Sequence, residues 1–154
     1  MAGAGPRVVL DTQLVVRGLV RRRRSAAVEL FELALAGARV TAVTSPLLLS
    51  EVERVLKQPA IRGLARPPLD DDLIERAMRF IGERFTVVPG TFQDVHKVPE
   101  DAKDNPLVEA ALEGDAEAIV SDDEDLLSLK VVKVSGFRPV QVYAPGPFLK
   151  HVLG

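Results

Sequence analysis

The sequence lacks cysteine and tryptophan altogether, and its 154 residues include one tyrosine and two histidines. Without cysteine, the chain forms no disulfide, has no thiolate nucleophile and builds no cysteine-ligated zinc or iron–sulfur site. The two histidines, His96 and His151, are too few for a histidine-rich metal centre. Any metal ion would therefore have to be a hard cation held by oxygen ligands.

Long apolar runs and a strong net charge are also missing. No run approaches the ~20 residues of a membrane span, and the opening residues MAGAGPR lack the basic and then apolar profile of a signal peptide. We therefore expect a cytoplasmic protein with no membrane association. The formal net charge of −2 excludes nucleic-acid binding by the charge of the whole molecule, but leaves room for a local basic patch.

The composition that is present, 47% hydrophobic and 27% charged, is typical of a globular protein. We expect one domain over residues 1–154, long enough to bury its own core. Strand and helix patterns alternate along most of the chain, which predicts an α/β fold with a central parallel sheet covered by helices. The predicted strands cover residues 7–10, 38–45, 85–90, 116–121, 131–134 and 140–144. The predicted helices lie within residues 25–37, 45–59, 67–85, 105–114, 123–129 and 147–153.

Acidic residues stand at strand ends and helix starts. Asp11 follows the first strand, and Asp123 follows the strand at 116–121 together with Asp122 and Asp125. Glu51 lies in the helix after the second strand, and Asp104 opens the helix before 116–121. Because ligands of open parallel sheets bind beyond the carboxyl ends of the strands, we expect these four acids to share a crevice. The four carboxylates would repel one another without a cation, and their oxygen atoms suit Mg²⁺ or Mn²⁺. Such an ion activates water and stabilises charge on a phosphodiester.

Three segments resemble PIN domains, in particular the single-domain proteins of the VapC toxin type: residues 11–19 (DTQLVVRGL), 45–56 (SPLLLSEVERVL) and 101–127 (DAKDNPLVEAALEGDAEAIVSDDEDLL). The resemblance extends over roughly residues 7–134. It implies a three-layer α/β/α fold with a central parallel sheet. It also implies a metal-dependent endoribonuclease that uses Mg²⁺ or Mn²⁺, has RNA as substrate and an antitoxin protein as partner, with a homodimer as a further option.

The resemblance also implies roles for individual residues. The matching catalytic acids are Asp11, Glu51, Asp104 and Asp123. The matching metal ligands are Asp11, Asp104, Asp123 and Asp125. Supporting positions beside these acids, which position water or phosphate or satisfy local backbone groups, are Thr12, Gln13, Asn105 and Ser121.

Two positions depart from the family pattern. Gln13 stands where the family usually has asparagine, and Glu100 stands where a basic residue is common. The longer arm of Gln13 leads to an alternative function, a catalytically weakened PIN-fold module that binds RNA or protein. A phosphatase of the haloacid-dehalogenase type fits less well, because it would need an acid at position 13. A receiver domain is disfavoured because no acid pair stands beside the first strand.

One dense basic run is a candidate RNA contact, and it comprises Arg21, Arg22, Arg23 and Arg24. The run is either a solvated loop or a set of phosphate ligands near the acidic edge. Aromatic residues make up only 5% of the chain, so we expect recognition of the RNA backbone or shape rather than base stacking.

Overall fold

Residues 5–20, 23–92 and 105–154 are described by the structure, a computed structural model, and they form six strands and eight helices. The strands are β1 (Arg7–Leu10), β2 (Thr41–Thr44), β3 (Thr86–Val87), β4 (Ala118–Val120), β5 (Val131–Val132) and β6 (Val140–Tyr143). The helices are α1 (Thr12–Val20), α2 (Ala26–Ala36), α3 (Pro46–Leu56), α4 (Pro59–Arg62), α5 (Asp71–Arg84), α6 (Asn105–Glu113), α7 (Glu124–Leu127) and α8 (Pro145–Leu153).

The six strands form one sheet in the order β3-β2-β1-β4-β6-β5. All neighbouring pairs are parallel except β5, which pairs antiparallel with β6 at the edge. The predicted parallel sheet is therefore confirmed for five strands and wrong for β5. The connection at residues 133–139 is too short for the crossover of about a dozen residues that a parallel pair needs.

Helices cover both faces of the sheet, which confirms the predicted three-layer α/β/α class. Alternating residues of β1 show the two faces, because Val8 and Leu10 enter one buried cluster and Val9 enters the other. The first cluster is completed by side chains of α1, α2, α3, α5 and α8. The second is completed mainly by α6 together with Leu48 of α3 and Leu126 of α7.

Helix starts follow the predicted capping residues. The Oγ atom of Ser25 accepts a hydrogen bond from the Val28 N–H at 3.2 Å, and Ser45 Oγ accepts one from the Leu48 N–H at 3.3 Å. Gly37 ends α2 with φ of +64°, the left-handed conformation that glycine adopts without strain. Pro59 lies past the end of α3, as predicted, but it also begins α4, a single turn that sequence patterning missed.

Helix α1 is the largest difference between the predicted and observed elements, since no helix was predicted at Thr12–Val20. The segment is rich in β-branched valine and contains Gly18, both of which lower helix propensity. Its start is fixed by the carbonyl of Asp11, which accepts from the N–H groups of Leu14 and Val15. Burial of one face of the helix outweighs the poor propensity.

Helices α1 and α2 approach closely at Gly18. A Cβ atom built on this residue would lie 2.4 Å from Cγ and Cδ2 of Phe31, which is fully buried. Glycine is therefore required at this crossing by the ring of Phe31. Gly82 in α5 has nothing within 4 Å of the corresponding position and serves as a comparison.

We expect Gly18→Ala to lower the free energy of unfolding by about 1–3 kcal/mol, because the added methyl group overpacks a filled core. The control Gly82→Ala should raise it by roughly 0.5–1 kcal/mol, since alanine favours a helix and finds open space. Urea unfolding of the two variants measures both effects. Equal shifts in the same direction would contradict close packing at Gly18.

Candidate active site at the carboxyl edge of the sheet

The chain order changes direction at β1. Strand β1 lies between β2 and β4, so the connections from β1 to β2 and from β3 to β4 run to opposite sides. Ligands of open α/β sheets bind in the crevice at this kind of point, outside the carboxyl ends of the strands. Asp11 directly follows β1, and its N–H donates to the carbonyl of Val120 in β4 at 2.9 Å. The first predicted acid therefore lies at this crevice.

A buried serine joins the two acids that follow β1 and β4. The Oγ of Ser121 donates to Asp11 Oδ2 at 2.6 Å and accepts from the Asp123 N–H at 2.9 Å. Ser121 has no exposed surface, and both bonds run from its buried hydroxyl to half-buried neighbours. The other oxygen of Asp11, Oδ1, faces the Thr12 hydroxyl at 3.4 Å. The Ser121 hydroxyl thus fixes Asp11 relative to the backbone that carries Asp123.

Three of the four predicted catalytic acids, Asp11, Glu51 and Asp123, line one cavity of about 280 Å³. The carboxylates come from three different elements: the end of β1, the middle of α3 and the turn before α7. The remaining lining residues are Thr12, Gln13, Leu48 and Leu107. The structure therefore brings three acids that are far apart in sequence to the wall of one cavity.

Part of the predicted site falls outside the described residues. Asp104 does so, as do the first two residues of the basic run and the positions of His96 and Glu100. Within residues 5–20, 23–92 and 105–154, no group of three or more acidic or histidine side chains is close enough to hold a metal ion. The predicted four-acid metal site stays a prediction.

Two further predicted residues are absent from the lining of the cavity. Asp125 donates its backbone N–H to Oδ1 of Asp123 at 3.0 Å, so its main chain helps to orient that carboxylate. Asn105 begins α6 and is buried. The roles of Asp125 as ligand and of Asn105 as supporting residue stay predictions.

A larger groove of about 700 Å³ adjoins the acid cavity and shares three of its lining residues, Thr12, Gln13 and Glu51. We call it the α1/α3 groove, because most of its walls come from those helices. Its other lining residues are Val16, Arg17, Val20, Arg23, Arg24, Ser25, Arg54, Val55, Gln58, Ile61 and Leu64. Two residues of the predicted basic run, Arg23 and Arg24, thus lie along a groove that opens beside the acids.

Arg17, Arg24 and Arg54 of the groove form ion pairs with nearby acids. Arg24 Nη1 donates to Glu32 Oε1 at 3.0 Å, and this bond raises the pKa of Arg24 above its ordinary value. Arg17 and Arg54 were missed in the sequence, although each lies one helical turn from a predicted site residue, Gln13 and Glu51 respectively. The spacing was a usable signal for Arg54 in the predicted helix, but for Arg17 only with α1 recognised as a helix.

A family model described as a PIN domain matches residues 7–125 of the chain. The chain belongs to the PIN domain family. Among solved structures, the fold is similar to the crystal structure of VapBC2 from Rickettsia felis bound to a DNA fragment from their promoter, with a TM-score of 0.51. The sequences are 9% identical, and the match covers 88% of this chain and 98% of the other. No curated protein matches.

The matched segment of this PIN domain ends at Asp125, before β5, β6 and α8. These last elements nevertheless belong to the same packing, because Phe148 of α8 is fully buried in the first cluster. His151 is exposed and stacks on Tyr143, with ring centroids 5.8 Å apart, so it lies on the surface as predicted. None of the described helices is long and apolar enough to cross a membrane.

Proposed function

We propose that this PIN domain is an endoribonuclease that uses Mg²⁺ or Mn²⁺ to hydrolyse RNA phosphodiester bonds. The observation that supports the proposal is the arrangement of Asp11, Ser121 and Asp123 at the carboxyl ends of β1 and β4. Carboxylates fixed in this way, with Glu51 on the same cavity, provide the oxygen ligands that hard divalent cations prefer.

The donor chemistry of the cavity fits such an ion. The Asp11 carboxylate offers about four lone-pair sites, and its two hydrogen bonds to described residues use only part of them. Mg²⁺ is commonly held by one or two carboxylates and completes its shell with water and substrate phosphate. Asp11 and Asp123 would hold the ion, and the predicted ligands Asp104 and Asp125 would complete the protein's share. A bound ion supplies an activated water and stabilises charge on the phosphodiester.

The remaining residues act on geometry and charge. Ser121 keeps the Asp11 carboxylate in one orientation through its buried hydroxyl. Glu51 adds negative charge to the cavity wall, and Arg54 Nη2 lies 3.8 Å from its Oε1. Since the acids repel phosphate as well as attract cations, RNA should bind there productively only when a cation offsets their charge.

The proposal is tested by incubating the purified chain with labelled single-stranded and structured RNAs in Mg²⁺, Mn²⁺ or EDTA. We expect cleavage with either ion and none with EDTA, because the acids need the cation. Separation of the products by gel and binding measured by anisotropy on the same samples give both readouts. No cleavage under any condition would contradict the proposal.

The same experiment separates the second candidate, a PIN-fold binding module with weakened catalysis. Gln13 is the observation that favours it, since this exposed side chain lines both cavities where the family usually has the shorter asparagine. RNA binding without cleavage in Mg²⁺ and Mn²⁺ would support the module. Cleavage that is restored or raised in Gln13→Asn would assign the weakening to this residue.

The likeness to the Rickettsia felis VapBC2 structure supports a biological role as the toxin of a toxin–antitoxin pair. In that role the chain would act in the cytoplasm and be restrained by an antitoxin protein, and a homodimer is a further assembly. An Arg or Lys of the antitoxin would neutralise the acid cavity in place of the metal. A small reading frame beside the gene whose product suppresses RNA cleavage by the chain would support this role.

A further inference from the structure

The α1/α3 groove is lined by arginines, side chains that suit phosphate recognition. Four arginines line it, Arg17 and Arg54 near the acid cavity and Arg23 and Arg24 towards the other end, whereas Glu51 is the single acid on its wall among the described residues. The chain as a whole carries a net charge of −2, yet this groove gathers four of its arginines, of which Arg17, Arg24 and Arg54 pair with acids at or beside it. Local basic grooves of this kind attract phosphate groups even in an acidic protein.

The floor of the groove is apolar, and its side chains are Val16, Val20, Val55, Ile61 and Leu64. No aromatic ring is part of the described lining, so the groove offers no platform for stacking bases. The apolar side chains of the floor suit the ribose and base faces of a single strand. The guanidinium groups at the rim suit its phosphates. Such a surface holds the backbone with little preference for base identity.

Arg17 and Arg54 stand where the groove opens into the acid cavity. Arg17 Nη1 pairs with Asp122 Oδ2 at 2.8 Å, and Asp122 is the sequence neighbour of the cavity acid Asp123. Arg54 pairs with Glu51, which lines both spaces. Each of these two arginines is therefore ion-paired beside one of the cavity acids. Arg17 reaches from α1 to the neighbour of Asp123, and Arg54 pairs with Glu51 within α3.

These pairs are easily exchanged for a phosphate. Arg17 and Asp122 each have 46% of their side-chain surface exposed, and Arg54 has 64%. Exposed ion pairs contribute only about 0–1 kcal/mol, so a carboxylate partner is readily replaced. Arginine binds phosphate in a bidentate manner, which favours the replacement.

The geometry points to Arg17 and Arg54 as a pair of positioning residues. They hold backbone phosphates of single-stranded RNA in the α1/α3 groove, next to the phosphodiester bond that is cleaved at the acid cavity. The inference rests on the proposed function for its substrate. It adds the path of the strand, which runs along about 10 Å of α1 from Gln13 to Val20 at 1.5 Å per residue. It also extends the predicted basic run to two arginines outside it.

The test measures binding of a short fluorescein-labelled single-stranded RNA of mixed sequence by anisotropy, in EDTA, between about 50 and 200 mM salt. The variant is the full chain with Arg17→Ala and Arg54→Ala. We expect about a tenfold loss of affinity and a salt slope smaller by about 1.4, because each lost phosphate contact on a single strand removes about 0.7. Lysine at both positions keeps the charges and should recover the slope.

The matched control is Arg76→Ala with Arg79→Ala, which removes two exposed, ion-paired arginines from α5 and changes the net charge by the same amount. The control should bind RNA like the original chain. A groove variant that binds like the control would overturn the inference, and an acidic protein segment would then fit the groove better. The binding assay needs no cleavage, so it separates the two proposals. If the original chain binds RNA without cleaving it and the groove variant binds more weakly, the nuclease function is refuted and the RNA-binding groove is supported.

Discussion

Asp11→Asn is expected to lower the single-turnover rate of RNA cleavage by about a thousandfold, the upper range for losing one preorganised electrostatic group. The substitution is nearly isosteric, and its amide oxygen can still accept the hydrogen bond from Ser121 that is 2.6 Å long in the structure. What it removes is the charge that attracts a divalent cation. We therefore expect the melting temperature without metal to change little.

The same variant should bind RNA as tightly as the original chain or more tightly, because the repulsion between the cavity and phosphate falls. Asp72→Asn is the matched control: Asp72 lies on α5, is exposed and pairs with Arg76 at 3.1 Å. It removes the same charge away from the cavity and should leave the rate unchanged. An Asp11→Asn protein that cleaves RNA as fast as this control would show that Asp11 has no part in the reaction.

Ser121→Ala is expected to act on both stability and rate. It leaves Asp11 Oδ2 and the Asp123 N–H without their shared partner at a position with no exposed surface. A buried polar group that loses its hydrogen bond costs about 1–3 kcal/mol of folding free energy. Groups that orient metal ligands change metal affinity or activity by about 10- to 100-fold, and we expect a rate loss in that range.

The rate must be measured well below the melting temperature of the variant, together with the Mn²⁺ concentration that gives half of the maximal rate. Positioning of Asp11 predicts a raised half-saturating concentration, whereas a structural role alone predicts an unchanged one. Ser128→Ala is the control, since its exposed hydroxyl donates to the Asp125 carbonyl at 2.7 Å and lies outside the cavity lining. A destabilised Ser121→Ala protein with normal rate and metal dependence would refute the positioning role.

The predictable parts of this fold are those in which local signals agree. The helices α2 and α3 have a serine at the cap and regular apolar spacing, and both were placed correctly. Helix α1 was missed because its valines and Gly18 suggest other structures, and only packing against Phe31 and its neighbours makes the segment helical. The antiparallel direction of β5 depends on loop length rather than on any property of its two valines.

The places of Asp11 and Asp123 were predictable because both acids follow buried strands. A carboxylate directly after a buried strand must lie at the carboxyl edge of a parallel sheet, which is where Asp11 and Asp123 are found. The arginines were not predictable in the same way. Arg17 meets Asp122 across 105 positions of sequence, and that contact exists only in the folded chain.

The central claim, that divalent metal at the acid cavity drives RNA cleavage, is tested most directly by the single-turnover rate on one labelled RNA as a function of Mn²⁺ concentration. The account predicts a rate that is absent in EDTA, rises to saturation with Mn²⁺ and returns to zero when the ion is chelated again. A rate that is the same in EDTA and in saturating Mn²⁺ would contradict it.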